Sequence, residues 1–182
     1  MQERQSWQIK DTHVLSELIA LMNLSAEESR LLGSLHAQAV SIAPHMAEAF
    51  YERLLVHAQT AEYFVDRPMQ PLHETIGQWF TDLFGGQYDE AYVSQRLRIG
   101  KVHVHVGLPV RYPLAMLDVV MVYGEEVTQR STQPQQALQV LHKVLALDTA
   151  IFNQAYEDER LGHIAALVGG ERLARKLLAG HM

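Results

Sequence analysis

Apolar residues recur every three or four positions along most of this chain, and this spacing restricts it to a helical fold. One stretch shows the pattern clearly, with Leu72, Ile76, Trp79, Phe80 and Leu83 along one helix face. Only Val102–Val106 alternates in the manner of a strand, and the turn residues Gly107 and Pro109 that follow it favour a helix end instead. We therefore predict an all-α fold of about eight helices.

Capping and turn residues predict several helix boundaries. Ser25 and Glu28 have the spacing of a capping box, which opens a helix. Pro44 suits the first turn of the next helix, because proline lacks the N–H that a first turn leaves unpaired. A long helix after Pro134 is expected to reach Val168, where a pair of glycines would end it.

Composition excludes several classes of function. The chain has 182 residues, a net charge of -6 and no cysteine. This length suits one domain with a substantial core, and the acidic balance disfavours nucleic acid as a partner. The absence of cysteine excludes disulfides and thiolate catalysis and fits a reducing cytoplasm. No signal peptide or apolar run of membrane-spanning length is present, so we expect a cytoplasmic protein without a membrane partner.

Histidine is the side chain best suited here to bind a metal or cofactor, and the chain has 10 of them. No phosphate-binding glycine loop, HExxH motif or EF-hand loop accompanies them. His103 and His105 lie two residues apart on a predicted helix, so they point to nearly opposite sides and cannot face one pocket. From the residues alone, each is more often a packed or surface histidine than a ligand.

Four segments in consistent order resemble the globin-coupled sensors, a family of heme-binding globin domains. Residues 96–112, which contain His103 four positions before the turn Gly107-Leu-Pro109, resemble the proximal-histidine motif of that family. The other three segments resemble its distal motif, the link between its distal and proximal helices, and its last core helix: residues 50–55, 79–92 and 146–156. The resemblance extends over residues 24–160.

The resemblance implies a globin fold, which is a three-over-three helical sandwich, with an extra N-terminal helix and a long C-terminal helix. It implies that residues 1–168 form the sensor domain, in which residues 1–23 hold the extension helix. Residues 169–182 would be a tail or the start of a linker to an output domain. The domain itself would have no catalytic residues.

The resemblance further implies that His103 ligates the iron of heme b. The other ring nitrogen of such a ligand usually donates to a backbone carbonyl, here expected one turn earlier. Tyr51 would lie over the heme and donate a hydrogen bond to a bound gas, with Leu72 in the usual distal position. The cofactor would contact Leu72, Ile76, Phe50, Val102 and Leu108. His73 and His105 are expected to point elsewhere.

Partners follow from the same resemblance. It implies a diatomic gas (O2, CO or NO), a homodimer formed by the last two long helices, and an output domain in the same chain. A basic cluster of Arg96, Arg98, Lys101 and Arg111 is interpreted either as partners of the heme propionates or as a solvated helix face. Two alternatives remain: a stand-alone globin with redox activity, such as nitric-oxide dioxygenation or peroxidation, and a heme-free helical regulator.

Overall fold

The computed structural model describes residues 13–180, so the first part of the predicted extension helix lies outside the described residues. Within that range the chain is helical and contains no strand, which confirms the all-α prediction. The helices are α1 (His13–Met22), α2 (Ala26–Gly33), α3 (His36–Val56), α4 (Ala58–Ala61), α5 (Met69–Leu83), α6 (Glu90–His105), α7 (Arg111–Ala115), α8 (Leu117–Thr128), α9 (Pro134–Val168) and α10 (Glu171–Leu178). A 3-10 turn at Glu62–Phe64 precedes α5.

Most predicted boundaries are confirmed, and one is wrong. Ser25 Oγ accepts a hydrogen bond from the Glu28 N–H at 3.1 Å, and the Ser25 N–H donates to the Glu28 carboxylate at 2.8 Å. Pro44, however, lies inside α3 and does not begin a helix. Its missing N–H leaves the Val40 carbonyl without a helical partner, but both residues are on the exposed side of α3, where water can bond that carbonyl.

The helices form two layers. In one layer α3, α8 and α9 pack side by side. In the other layer α5 packs on α3, while α2 and α6 pack on α9. This is the three-over-three sandwich that the family resemblance implied. The additional helix α1 also packs on α9. None of the described helices is long and apolar enough to cross a lipid bilayer.

The segment after α9 forms a further helix, α10. Gly169 ends α9 in the left-handed conformation, with φ of 81°, and α10 then folds back along α9. Residues 169–180, expected from the sequence as a tail or linker, therefore pack against the domain as far as the structure describes them.

The fully exposed residues of α8 are mostly charged. They are Asp118, Val122, Glu125 and Glu126, of which Val122 is the apolar one. On the opposite side Gly124 faces Leu141 of α9, where a Cβ would come within 2.7 Å of the leucine side chain. The apolar residues of α8 are thus used mainly inside the monomer.

A second glycine sets the distance between α6 and α9. A Cβ on Gly100 would lie 2.5 Å from the Cβ of Ala155 and 3.1 Å from the carbonyl oxygen of Phe152. Glycine therefore allows the two helices to approach closely at this point. The approach also brings His103, one turn later, against Phe152, with ring centroids 5.3 Å apart in an edge-to-face arrangement.

We expect Gly100→Ala to lower the free energy of unfolding by about 1–3 kcal/mol, because the added methyl group forces α6 away from α9. Gly162→Ala is the matched control, since nothing lies within 4 Å of a Cβ at that helical position. The control should raise stability by about 0.5–1 kcal/mol through its effect on helix formation. Urea unfolding followed by circular dichroism measures both. Equal changes in the two variants would contradict the close approach.

Candidate functional site

Helices α5 and α6 meet at one end and pack on different neighbours elsewhere. At the junction the Arg96 guanidinium donates to the Trp79 carbonyl at 3.3 Å and to the Asp82 carboxylate at 3.1 Å. Leu72 lies seven residues before Trp79, and His103 lies seven residues after Arg96, which places each about 10 Å from the junction along its own helix. Helix α5 packs on α3 and α6 packs on α9, with few contacts between α5 and α6. We interpret the region between these two helices, beyond the junction, as a cleft.

A buried carboxylate on α9 closes the base of this cleft. Asp148 accepts hydrogen bonds from Trp79 Nε1 at 3.0 Å, from the Tyr92 hydroxyl at 2.7 Å and from Arg96 Nε at 2.7 Å. Arg96 is 1% exposed and Asp148 is 4% exposed. The guanidinium also lies 4.0 Å from the centre of the Tyr92 ring. One residue from each of α5 and α9 and two from α6 are thus joined at a single point.

The position of Arg96 corrects the sequence interpretation. It belongs neither to a solvated basic face nor to a set of propionate partners, because it is fully buried and already bonded to two carboxylates. The other three basic residues of that cluster are exposed. The sequence analysis also missed Asp148. A signal was present, since Arg96 and Asp148 each interrupt an apolar helix stripe with opposite charge.

On the α6 wall, the His103 ring is held in one orientation. Its Nδ1 donates to the Ile99 carbonyl at 2.7 Å, which confirms the expected partner one turn earlier. Nε2 is therefore the unprotonated nitrogen of the neutral ring, and it has no hydrogen-bond partner among the residues that the structure describes. Burial lowers the pKa of His103 despite the opposing effect of the Ile99 hydrogen bond, so the ring is neutral at pH 7. Such an imidazole can bind a metal through Nε2.

On the other side, Tyr51 lies in an apolar cluster between α3, α5 and α8. Its ring packs edge-on against Phe50 and Phe64, with centroid distances of 5.4 and 5.5 Å. The hydroxyl donates to the Leu72 carbonyl at 3.3 Å, which is a long hydrogen bond. Burial raises the pKa of Tyr51 to about 12, so the phenol keeps its proton at neutral pH.

His73 does not point away from this region, contrary to the sequence expectation. Its ring stacks on that of Tyr51, with centroids 4.9 Å apart and an angle of 14° between the planes. Stacking of this kind limits the rotation of the Tyr51 ring. His105 does lie exposed at the end of α6, as expected.

The structure brings together part of the expected pocket. Phe50, Leu72 and Ile76 pack with Tyr51 in one apolar cluster. Leu108 is half-buried in the turn after α6. Val102 is 56% exposed and lies in neither buried cluster of the described residues, so its role as a pocket residue stays a prediction.

The side chains at this site suit a metal ion whose other ligands are supplied by a cofactor. Within residues 13–180 no three histidine, aspartate or glutamate side chains are grouped to hold a metal ion. His103 is instead a single neutral imidazole beside apolar walls that contain aromatic rings. An iron porphyrin needs one such axial ligand and a large apolar surface, and these residues therefore fit heme.

Two layers of three helices with a half-buried histidine near the end of α6 define a globin domain. The chain belongs to the protoglobin family, because the family model described as Protoglobin matches residues 12–161. The globin domain of a Geobacter sulfurreducens globin-coupled sensor is similar in structure, with a TM-score of 0.72 and 31% sequence identity. That match covers 78% of this chain and 96% of the other.

A longer relative is similar in sequence. The heme-based aerotactic transducer HemAT of Halobacterium salinarum is 30% identical over 124 residues. The match covers 60% of this chain and 25% of the transducer, so the chain spans about a quarter of that relative's length. The globin fold and the resemblance to globin-coupled sensors are thereby confirmed.

We expect Asp148→Asn to lower the free energy of unfolding by about 3 kcal/mol, because it leaves the buried Arg96 without its main counter-charge. Glu126→Gln breaks the exposed ion pair with Arg130, at 3.0 Å, and is the control. Its effect should stay below about 1 kcal/mol. Chemical denaturation of both variants provides the comparison. If Asp148→Asn costs no more than Glu126→Gln, the junction does not depend on the buried charge pair.

Proposed function

We propose that this chain is a heme-based gas-sensor globin domain in which His103 binds the iron of heme b. The observation that carries the proposal is the His103 ring, whose Nδ1 is engaged by Ile99 while Nε2 remains available at the edge of an apolar cleft. The names of the two relatives, a globin-coupled sensor and a heme-based transducer, support the cofactor. Because the chain has no cysteine, covalent thioether attachment is excluded, which favours heme b.

Tyr51 is the group that we propose acts on the bound gas. When bound, ferrous heme would supply an iron that can take up O2, CO or NO. The protonated phenol of Tyr51 can exchange its long contact with the Leu72 carbonyl for a hydrogen bond to the gas. A hydrogen bond to a charged partner contributes roughly 1.5–3 kcal/mol, and O2 gains more partial negative charge than CO does. Tyr51 would therefore favour O2.

We propose that ligand binding is relayed through α9. Helix α6 is tied to α9 by the Arg96–Asp148 ion pair and by the close approach of Gly100 to Ala155. A shift of His103 would therefore displace α9 as well, and a difference of about 1–3 kcal/mol between two arrangements is typical of such coupling. The output domain would lie in the same chain, as the greater length of the transducer suggests.

The proposed homodimer would use α8 and α9, the helices that the family resemblance indicates. Val122 is 61% exposed on α8 and is the apolar residue that such an interface would cover. We further propose that the domain is a cytoplasmic sensor and not itself an enzyme, without nucleic acid or membrane as a partner. The acidic net charge and the lack of a membrane-spanning helix among residues 13–180 support this assignment.

His103→Ala should abolish the normal heme complex. The purified chain, loaded with hemin and reduced, should show a Soret band, whereas the variant should lose heme or show a changed ferrous spectrum. His105→Ala is the control, because its exposed ring lies on the opposite side of α6 and should leave the spectrum unchanged. Full heme content and an unaltered ferrous spectrum in His103→Ala would overturn the assignment. A wild-type chain that takes up no heme would favour the heme-free regulator.

Tyr51→Phe should raise the rate of O2 dissociation by about ten- to a hundredfold, since it removes the proposed donor. The rate of CO dissociation should change much less. Tyr123→Phe serves as the control, because Tyr123 packs against the same apolar cluster and its hydroxyl has no partner among the described residues. Stopped-flow or flash-photolysis measurements give these rates. An unchanged O2 rate in Tyr51→Phe would remove its role.

A further inference from the structure

The turn after α6 is bonded directly to the backbone of His103. Leu108 N–H donates to the His103 carbonyl at 2.9 Å, and Gly107 N–H donates to the Val104 carbonyl at 3.0 Å. With Gly107 at φ of 74°, this is the Schellman arrangement that ends many helices. The position of Leu108 therefore determines how the last turn of α6, with His103 in it, is held.

The same peptide is fixed from the other side by α9. The Tyr156 hydroxyl donates to the Leu108 carbonyl at 2.9 Å, and Tyr156 is only 4% exposed. One turn earlier on α9, Phe152 packs edge-on against His103 and also contacts the Tyr156 ring, with centroids 5.2 Å apart. Leu108 is thus held between the His103 carbonyl and a buried phenol.

We infer that Tyr156 is a positioning residue for His103: its hydrogen bond to Leu108 fixes the last turn of α6 on α9 and thereby sets the direction of the imidazole. The inference rests on the proposed function only in taking His103 as the iron ligand. It also connects the region of His103 to α9 in two ways: by the hydrogen bond from Tyr156 to Leu108 and by the contact of the His103 ring with Phe152.

A second phenol reaches the turn but is less suited to this task. The Tyr63 hydroxyl donates to the Gly107 carbonyl at 3.3 Å, at an exposed position. A shorter hydrogen bond that is shielded from water is stronger than a long one in contact with it. Tyr156 should therefore dominate, and Tyr63→Phe should have the same effect in weaker form.

General stability of the domain can be separated from this role, because α6 and α9 are joined elsewhere by Arg96 and Asp148. The chain also offers a matched control in Tyr88. The Tyr88 hydroxyl donates to the Leu83 carbonyl at 2.7 Å, and this residue is 9% exposed. It makes the same type of buried phenol–carbonyl bond, in the segment between α5 and α6 and outside the turn that follows His103. Tyr88→Phe and Tyr156→Phe should thus lower stability to a similar extent.

The experiment compares Tyr156→Phe, Tyr63→Phe and Tyr88→Phe in the full chain loaded with heme. Hydrogen–deuterium exchange measures the Leu108 amide, and resonance Raman spectroscopy of the ferrous form measures the iron–histidine stretching band. Tyr156→Phe should speed Leu108 exchange about tenfold, the factor expected for one lost hydrogen bond. It should also shift or broaden the iron–histidine band. Tyr88→Phe should change neither.

Three results would overturn the inference: unchanged Leu108 exchange in Tyr156→Phe, faster exchange with an unaltered iron–histidine band, or a larger effect from Tyr63→Phe. Failure of the proposed function is distinguishable from these. If the wild-type chain binds no heme, or if its Raman spectrum contains no iron–histidine band, the assignment of His103 as ligand fails. The exchange of Leu108 then still reports on the contact with Tyr156.

Discussion

The buried pair of Arg96 and Asp148 is the interaction on which the rest of the structure depends. A charge removed from water must keep its partners, so the three helices that supply and surround this pair cannot move apart without a large loss of free energy. That requirement fixes the base of the cleft between α5 and α6. Leu72 on α5 and His103 on α6 each lie two helical turns from this junction. Their positions therefore follow from the buried contact and from the rise of each helix over those two turns.

Helix α9 provides the surface against which α6, the helix that carries His103, packs. Asp148, Phe152, Ala155 and Tyr156 lie on one side of α9 and contact α6 and the turn after it at four points. Asp148 binds Arg96 at the junction, and Phe152 packs against the ring of His103. Ala155 lies at the close approach to Gly100, and Tyr156 bonds the Leu108 carbonyl. The orientation of the imidazole is thus determined jointly by its own helix and by α9.

The sequence predicted the features that depend on local chemistry. Ser25 with Glu28, and Gly107 after α6, are readable because caps and left-handed turns need particular residues. The position of His103 came from family resemblance, since spacing alone did not distinguish it from a surface histidine.

Features that depend on tertiary contacts were missed. Arg96 was interpreted as a propionate partner or as part of a solvated face, and its true partner lies 52 positions away in the chain. The tolerance of α3 for Pro44 depends on the solvent exposure of one carbonyl, which no local pattern reveals.

The left-handed break at Gly169 has a mechanical consequence. An uninterrupted helix behaves as a stiff rod, and twisting or sliding at one end is reproduced at the other. Because α9 ends at Val168 and α10 reverses direction against it, torsion about the α9 axis is not conveyed past the pair of glycines. Because α10 touches α9 only through their packed faces, a sideways displacement of α9 would tilt α10, whereas a rotation of α9 about its own axis would not turn it.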